Sequence, residues 1–142
     1  MKKPRNFEPI KPGDSASLSL TVLQSVVEGF GEVVGDKNPI HFDDAFAKTT
    51  RFGRRIAHGM LSASLISAVI GNELPGPGSI YISQTLEFTS PVYLGDELTA
   101  KVTVVAVRQD KPIATLETIC SNQDGAVVVK GEAVVAYARS SK

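Results

Sequence analysis

The sequence predicts an α+β fold in which an antiparallel sheet curls around one apolar helix, and two observations carry this prediction. Residues 56–71 contain no Asp, Glu, Lys or Arg, so a helix there has no charged face and is expected to be buried on nearly all sides. The second half of the chain alternates β-rich stretches with turn-forming residues, which is typical of antiparallel strands. A sheet wrapped around the helix accounts for both patterns.

The composition limits the function to a few classes. The 142 residues suit a single domain, 1–142, whose core needs no disulfide. Acidic and basic side chains balance at 15 each without a polybasic run, so neither nucleic acid nor a membrane surface is an expected partner. No apolar signal segment follows the basic N-terminus, and the single Cys120 agrees with a reducing compartment. We therefore expect a cytoplasmic protein that acts on a small molecule.

The first quarter of the chain predicts a lead-in, a strand and a helix. Residues 1–13 are rich in Pro and Gly, which indicates an irregular lead-in. Residues 15–20 alternate small polar with apolar side chains, as a short strand does. Thr21 offers a capping box with Gln24 for the amphipathic helix that follows, and Gly35 is a suitable C-terminal stop.

The remaining elements are a short helix and four strands. Asp43 or Asp44 is placed to cap a helix over residues 45–48. The strands are predicted at residues 79–88, 97–107, 112–121 and 126–137. Strands joined by short turns form an antiparallel meander, and the edge strands of an open sheet often pair between subunits. We therefore expect a homodimer.

A polar loop at residues 35–44 gathers the titratable groups that follow the first helix. Asn38 and Pro39 form a strong turn signal, because Asn bonds to its own backbone and Pro fixes φ. Such a turn brings Asp36 and His41 towards one point, and a carboxyl beside an imidazole is the equipment of general acid–base catalysis. The alternative is a surface turn in which Asp36 only solvates or caps the loop.

Two motifs resemble those of one enzyme family. Residues 35–43 read Gly-Asp-Lys-Asn-Pro-Ile-His-Phe-Asp, and residues 52–60 read Phe-Gly-Arg-Arg-Ile-Ala-His-Gly-Met. Together they resemble the hydratase motif of the MaoC-like (R)-specific enoyl-CoA hydratase family, and the likeness extends through residues 76–81, 86–97 and 131–135. The resemblance implies a hot-dog fold, which agrees with the wrapped helix. It also implies reversible syn addition of water to a short- to medium-chain trans-2-enoyl-CoA, giving an (R)-3-hydroxyacyl-CoA.

The resemblance assigns roles to individual residues. Asp36 and His41 are similar to the dyad that holds and activates the water, and Asn38 is similar to the residue that orders their loop. Gly59 is similar to the oxyanion donor through its backbone N–H, a role that the start of an apolar helix favours. The remaining implied residues are a supporting serine and two acyl-pocket residues, namely Ser67, Ile70 and Val135. The acyl-CoA thioester is the substrate, and no metal or other cofactor is implied.

Other chemistry-bearing residues have simpler interpretations. His58, at a buried helix start, is expected to be a hydrogen-bonded structural residue outside the dyad. Asp36, His41 and Asp43 suggest a metal site, but the spacing supplies no third imidazole or thiolate to complete it. A group of basic residues either meets the phosphates of coenzyme A or forms a solvated face; the group consists of Lys48, Arg51, Arg54 and Arg55.

Three other functions remain open on the sequence. They are dehydration of a 3-hydroxyacyl group on an acyl carrier protein, hydrolysis of acyl-CoA by a hot-dog thioesterase, and binding of acyl-CoA without catalysis. A binding module needs no acid–base pair, so Asp36 and His41 together argue against the last function. The sequence does not indicate whether the product supplies polyhydroxyalkanoate synthesis, β-oxidation or another pathway.

Overall fold

The structure, a computed structural model, describes residues 9–138. The strands are β1 (Ser15–Thr21), β2 (Ile80–Gln84), β3 (Glu87–Phe88), β4 (Glu97–Val107), β5 (Ile113–Ser121) and β6 (Val127–Ala136). The helices are α1 (Gln24–Val34), α2 (Asp44–Lys48) and α3 (Gly59–Asn72), and a 3₁₀ turn covers Pro39–His41. Most of the predicted lead-in lies outside the described residues. Within them, no helix is long and apolar enough to cross a membrane.

The six strands form one antiparallel sheet in the order β1-β4-β5-β6-β2, and β3 pairs with β6 beside β2. The predicted meander is therefore right for β4 to β6 and wrong for β2 and β3, which lie at the edge far from β1. The segment 89–96 makes this order possible. Extended, it spans up to about 26 Å, more than the roughly 14 Å across three strand spacings.

Helix α1 begins later than predicted. Its first residue is Gln24 and its N-cap is Leu23, which makes no side-chain capping bond. The predicted capping box is wrong because Thr21 still belongs to β1, where it pairs with β4. The predicted stop is confirmed, since Gly35 has a φ of 78° and its N–H bonds to the carbonyl of Gly31. Glycine adopts this left-handed conformation without strain.

Two further local features follow from single residues. Asp43 accepts the N–H of Phe46 at 3.1 Å and so caps α2, as predicted. The predicted strand over residues 79–88 is divided into β2 and β3 where Thr85 crosses closely over Gly131 of β6. A Cβ on Gly131 would overlap the carbonyl oxygen of Thr85, so this crossing needs a glycine.

Helix α3 packs into the concave face of the sheet, chiefly against β4 and β1. This arrangement confirms the predicted α+β hot-dog fold. The inner side of the helix contributes to the core, among other residues, Leu61, Leu65, Ile66, Val69 and Ile70. The prediction that the helix is buried on nearly all sides is wrong, because the sheet of one chain covers only one side. The other side is an exposed stripe formed by Met60, Ser64, Ser67 and Gly71.

The outer edge formed by β2 and β3 carries large exposed side chains. We call it the β2–β3 edge, and its exposed members are Ile80, Tyr81, Ile82 and Phe88. An exposed apolar strand edge is a common place for two chains to pair.

Candidate active site

The polar loop after α1 is folded by its own side chains. Asp36 Oδ1 accepts the backbone N–H of Asn38 at 3.1 Å, and Asn38 Oδ1 accepts the N–H of Ile40 at 3.3 Å. Pro39 begins the 3₁₀ turn that ends at His41. As predicted, the turn brings the carboxyl of Asp36 and the imidazole of His41 together, since their polar atoms lie within 4.8 Å of each other.

His41 is buried, and one of its ring nitrogens makes no hydrogen bond with residues 9–138. It is 7% exposed, and its Nδ1 lies 2.7 Å from the carbonyl oxygen of Ile56. A carbonyl only accepts, so Nδ1 carries the hydrogen and Nε2 keeps a lone pair. Burial lowers the pKa of His41 below its ordinary value of 6.5, and the charge of His58 lowers it further. The bond to Ile56 and the charge of Asp36 act in the opposite direction, but they offset only part of this decrease in the pKa. The imidazole is therefore neutral at pH 7 and can accept a proton.

His58 lies against His41, a contact that the sequence did not indicate. The two rings stack with their centroids 3.9 Å apart and their planes at 30°. His58 Nε2 donates to the backbone oxygen of Asp36 at 3.1 Å, which confirms the predicted hydrogen bonding for this nitrogen, whereas the buried Nδ1 makes no hydrogen bond with the described residues. Phe30 and Phe42 flank the same ring, with centroid distances of 5.0 and 5.6 Å. The imidazole of His58 therefore connects the start of α3 to the loop that carries Asp36 and His41.

Asp36, His41 and His58 are close enough to suggest a metal site. One ligand atom from each residue lies within 4.8 Å of the others, so His58 brings a second imidazole and a third ligand residue to the pair. The sequence spacing missed His58 because α3 returns it to the loop from a distant part of the chain. The stacked rings hold their lone pairs in two nearly parallel planes, whereas metal ligands need convergent lone pairs. Asp43, the third residue of the predicted set, caps α2 instead.

Gly59 begins α3 beside this cluster. Among the described backbone groups its N–H has no acceptor, so the N–H is free at the positive end of the helix dipole. A Cβ here would lie 2.9 Å from Phe88 Cε1, which is too close unless the ring shifts. The missing side chain therefore keeps the N–H open in the narrow space between α3 and β3.

A cavity of about 270 Å³ opens next to Gly59. Part of its wall is the segment before α3, which includes Arg51 and Ile56, and another part is the segment after β3. Two buried residues, one of which is Ser62, complete the wall. Ile56 also forms an isolated bridge with Tyr93 of the segment after β3. Ile56 therefore both lines the cavity and holds the His41 ring through its carbonyl oxygen.

Of the predicted site residues, Gly59 lines this cavity, whereas Asp36 and His41 do not. Ser67 belongs to the exposed stripe of α3. Ile70 and Val135 are 2% and 0% exposed and belong to the core, and neither lines the cavity. The supporting role of Ser67 and the acyl-pocket roles of Ile70 and Val135 stay predictions.

The basic residues near the site do not act as one patch. Arg55 Nε lies 2.9 Å from Asp44 Oδ1, and its side chain is 15% exposed. The guanidinium of Arg54 lies 3.9 Å from the centroid of the Tyr93 ring. Arg51 lines the cavity and is exposed. Of these three arginines, Arg51 is therefore the best placed to meet a ligand in the cavity.

Known proteins with similar sequences and structures point to one family. A protein named (R)-specific enoyl-CoA hydratase from Aeromonas caviae is 52% identical over 126 residues, which are 89% of this chain and 94% of that protein. A protein of the same name from Rhodospirillum rubrum is 50% identical over 129 residues, with coverages of 91% and 89%. A solved structure described as an (R)-hydratase from A. caviae involved in PHA biosynthesis has a TM-score of 0.88 and 51% identity, covering 91% of this chain and 98% of that one.

The sequence also matches the family described as MaoC like domain, over residues 6–123. The match spans the polar loop, α3 and most of the sheet, and it agrees with the motifs on which the resemblance was based. The chain therefore belongs to the MaoC-like domain family.

Proposed function

We propose that the protein is an (R)-specific enoyl-CoA hydratase. It adds water reversibly, in syn fashion, to a trans-2-enoyl-CoA of short to medium chain length and forms an (R)-3-hydroxyacyl-CoA. The observation that carries this proposal is the convergence of Asp36 with a neutral His41 whose Nε2 is free. The similar hydratases, at about 50% identity, support it.

His41 acts as the general base in this proposal. Water is a poor nucleophile at neutral pH, and Nε2 accepts its proton as the oxygen attacks C3 of the enoyl group. The bond from Nδ1 to Ile56 fixes the ring and stabilises the imidazolium that forms. Asp36 accepts the second hydrogen of the water and keeps the oxygen directed at C3. A proton then returns to C2 from the same pair, so that H and OH are added to one face.

Gly59 stabilises the charge that develops during the attack. As the C3–O bond forms, negative charge moves through C2 to the thioester oxygen and gives an enolate. The free N–H of Gly59 at the start of α3 is a fixed donor for this oxygen, and the helix dipole adds to its effect. A donor fixed in advance needs no reorganisation during the reaction.

The other proposed parts follow from the same chemistry. Adding water requires no electron transfer, so the proposed reaction needs no redox cofactor. The proposed dyad activates the water and the N–H of Gly59 stabilises the charge, so the proposal assigns no role to a metal, and coenzyme A enters only as part of the substrate. Asn38 orders the loop, a role supported by its bond to Ile40. Ser67 supports the site from α3, while Ile70 and Val135 line the acyl end of the substrate.

A homodimer and a cytoplasmic location are also part of the proposal. The β2–β3 edge exposes Ile80 at 65% and Ile82 at 55%, and the exposed stripe leaves one side of α3 uncovered. A second copy paired along the edge would extend the sheet and cover apolar surface on both chains. The cytoplasmic location rests on the sequence, in which Cys120 has no partner for an internal disulfide.

The test is hydration of crotonyl-CoA by the purified protein. We expect the absorbance of the enoyl thioester to fall and chiral analysis to identify (R)-3-hydroxybutyryl-CoA. No turnover of any 2-enoyl-CoA up to dodecenoyl-CoA would overturn the proposal, and an (S) product would overturn its stereochemistry.

The same preparation separates the three alternative functions. Release of free thiol without loss of the double bond would indicate a thioesterase. Faster reaction of a 3-hydroxyacyl group on acyl carrier protein than on coenzyme A would indicate the carrier-protein dehydratase. Binding of crotonyl-CoA without turnover would indicate a non-catalytic module, although such a module needs no pair like Asp36 and His41.

A further inference from the structure

Ser62 of α3 is a buried hydroxyl without a partner. It is 2% exposed, and its Oγ makes no hydrogen bond within the part of the chain that the structure describes. Serines in helices commonly bond back to the carbonyl four residues earlier, as Ser64 does to Met60 at 2.7 Å. Ser62 does not. Its hydroxyl therefore stays available, although buried polar groups are nearly always paired.

Ser62 belongs to the wall of the cavity that begins at Gly59. Ser62 and Gly59 both line the cavity, and residues three apart lie on the same side of a helix. The helix rise separates them by about 4.5 Å along its axis. Two residues that each carry an unpaired donor, Gly59 with its N–H and Ser62 with its hydroxyl, therefore line one cavity.

The chemistry of the cavity distinguishes the two halves of an acyl-CoA. An alkyl chain has no acceptor, so it would leave the Ser62 hydroxyl buried and unpaired, which is unfavourable. The pantetheine arm of coenzyme A carries amide carbonyls, which accept hydrogen bonds. Arg51 is exposed and lines the same cavity, and a guanidinium suits the phosphate at the far end of the arm. Ile70 and Val135, the predicted acyl-pocket residues, do not line it.

We propose that this cavity receives the pantetheine arm, and that Ser62 is a substrate-binding residue whose hydroxyl donates to the first amide carbonyl of the arm. The inference rests on the proposed hydratase function. With the thioester oxygen at the N–H of Gly59, the sulfur and the two methylene groups that follow it carry the amide along α3 to Ser62. The bond strengthens substrate binding and leaves the chemical step unchanged.

The test compares Ser62→Ala with the wild type on two thioesters of one acyl group. Crotonyl-CoA carries the arm, and S-ethyl thiocrotonate lacks it. We expect Ser62→Ala to lower kcat/KM for crotonyl-CoA about three- to tenfold, through KM, because one hydrogen bond is lost. The value for S-ethyl thiocrotonate should not change. Ser62→Thr keeps the hydroxyl and should retain the wild-type KM. Ser17→Ala, which alters an exposed residue of β1, is the control.

Several results would overturn the inference. An equal loss of kcat/KM on both thioesters would assign Ser62 to helix packing or to the chemical step. An unchanged KM for crotonyl-CoA in Ser62→Ala would show that the proposed contact does not exist. An altered preference among acyl chain lengths would place the acyl group in the cavity.

If the proposed hydratase function is wrong, the wild-type protein itself will not turn over crotonyl-CoA. Calorimetric titration with coenzyme A then decides the role of Ser62. Binding that weakens in Ser62→Ala and is kept in Ser62→Thr supports the contact, whereas equal or absent binding overturns it.

Discussion

The imidazole rings of His41 and His58 lie face to face, with centroids 3.9 Å apart, and each ring donates one N–H to a backbone carbonyl. His41 Nδ1 bonds to Ile56 at 2.7 Å, and His58 Nε2 bonds to Asp36 at 3.1 Å. Each bond fixes one tautomer, because a carbonyl oxygen only accepts. The proposed base is therefore held in its useful tautomer before a substrate arrives.

Loss of either member of the proposed dyad should remove most turnover. We expect His41→Ala and Asp36→Ala each to lower kcat for crotonyl-CoA by about 10²–10⁴-fold, the usual contribution of general acid–base catalysis. Asp124→Ala, in the turn between β5 and β6, is a matched control that should keep the wild-type rate. Circular dichroism shows whether the variants are folded. Wild-type rates in both dyad variants would show that the dyad is misassigned.

The pH dependence of kcat/KM should report the lowered pKa of His41. Burial disfavours the imidazolium, so the base stays neutral below the ordinary value of 6.5. We therefore expect the acid limb of the profile to have its midpoint below 6.5. Initial rates in buffers of constant ionic strength measure it. A midpoint above 6.5 would contradict either the shift or the identity of the base.

The same shift should make folding sensitive to acid. Well above pH 6.5, the ordinary value, His41 is neutral in both the folded and the unfolded protein and contributes nothing to the pH dependence. As the pH falls from 6.5 through the lower folded pKa, the unfolded state binds the proton first, so the free energy of unfolding decreases. Urea unfolding should show a smaller acid-induced decrease in His41→Gln than in the wild type. Parallel decreases would mean that other groups cause the effect.

Two glycines of α1 give opposite predictions for alanine. A Cβ on Gly29 meets nothing within 4 Å, so Gly29→Ala should stabilise the protein by about 0.5–1 kcal/mol through helix propensity. A Cβ on Gly31 would lie 2.5 Å from Phe42 Cζ. Overpacking costs about 1–3 kcal/mol, so Gly31→Ala should destabilise the protein by about 1 kcal/mol net. Chemical denaturation measures both variants, and equal gains would show that the Phe42 ring moves aside freely.

The proposed homodimer should depend on the β2–β3 edge. Ile82 is 55% exposed there, and a charge in a paired apolar edge is unfavourable. We expect wild-type protein to have the mass of a dimer in light scattering and Ile82→Lys to shift it to a monomer. Val105→Lys, which alters a 50% exposed residue of the inner strand β4, is the control. A wild-type protein with the mass of a monomer would show that the proposed homodimer is wrong.

Sequence reasoning succeeded where neighbouring residues decide the structure. The bounds of β4, the helix stop at Gly35, the cap by Asp43 and the meeting of Asp36 with His41 are all short-range features. Turn, cap and alternation signals lie within a few residues of the structure that they specify. The resemblance of two motifs then identified the family.

The errors arose where distant segments decide. The place of β2 beside β6 and the stacking of His58 on His41 depend on packing between remote parts of the chain. The serines of α3 show the same limit. Nothing in the sequence separates Ser62, which is buried, from Ser64 and Ser67, which are exposed, because the difference depends on which side of the helix the sheet covers.

Ile56 belongs to two surfaces at once, since its carbonyl oxygen holds the His41 ring while the residue lines the cavity beside Gly59. We therefore expect a molecule in the cavity that displaces Ile56 to move the carbonyl and, with it, the hydrogen-bonded imidazole. The proposed base would then respond to an occupant that it does not touch. An inhibitor that binds in this cavity and is bulky enough to displace Ile56 would therefore slow turnover without displacing the attacking water.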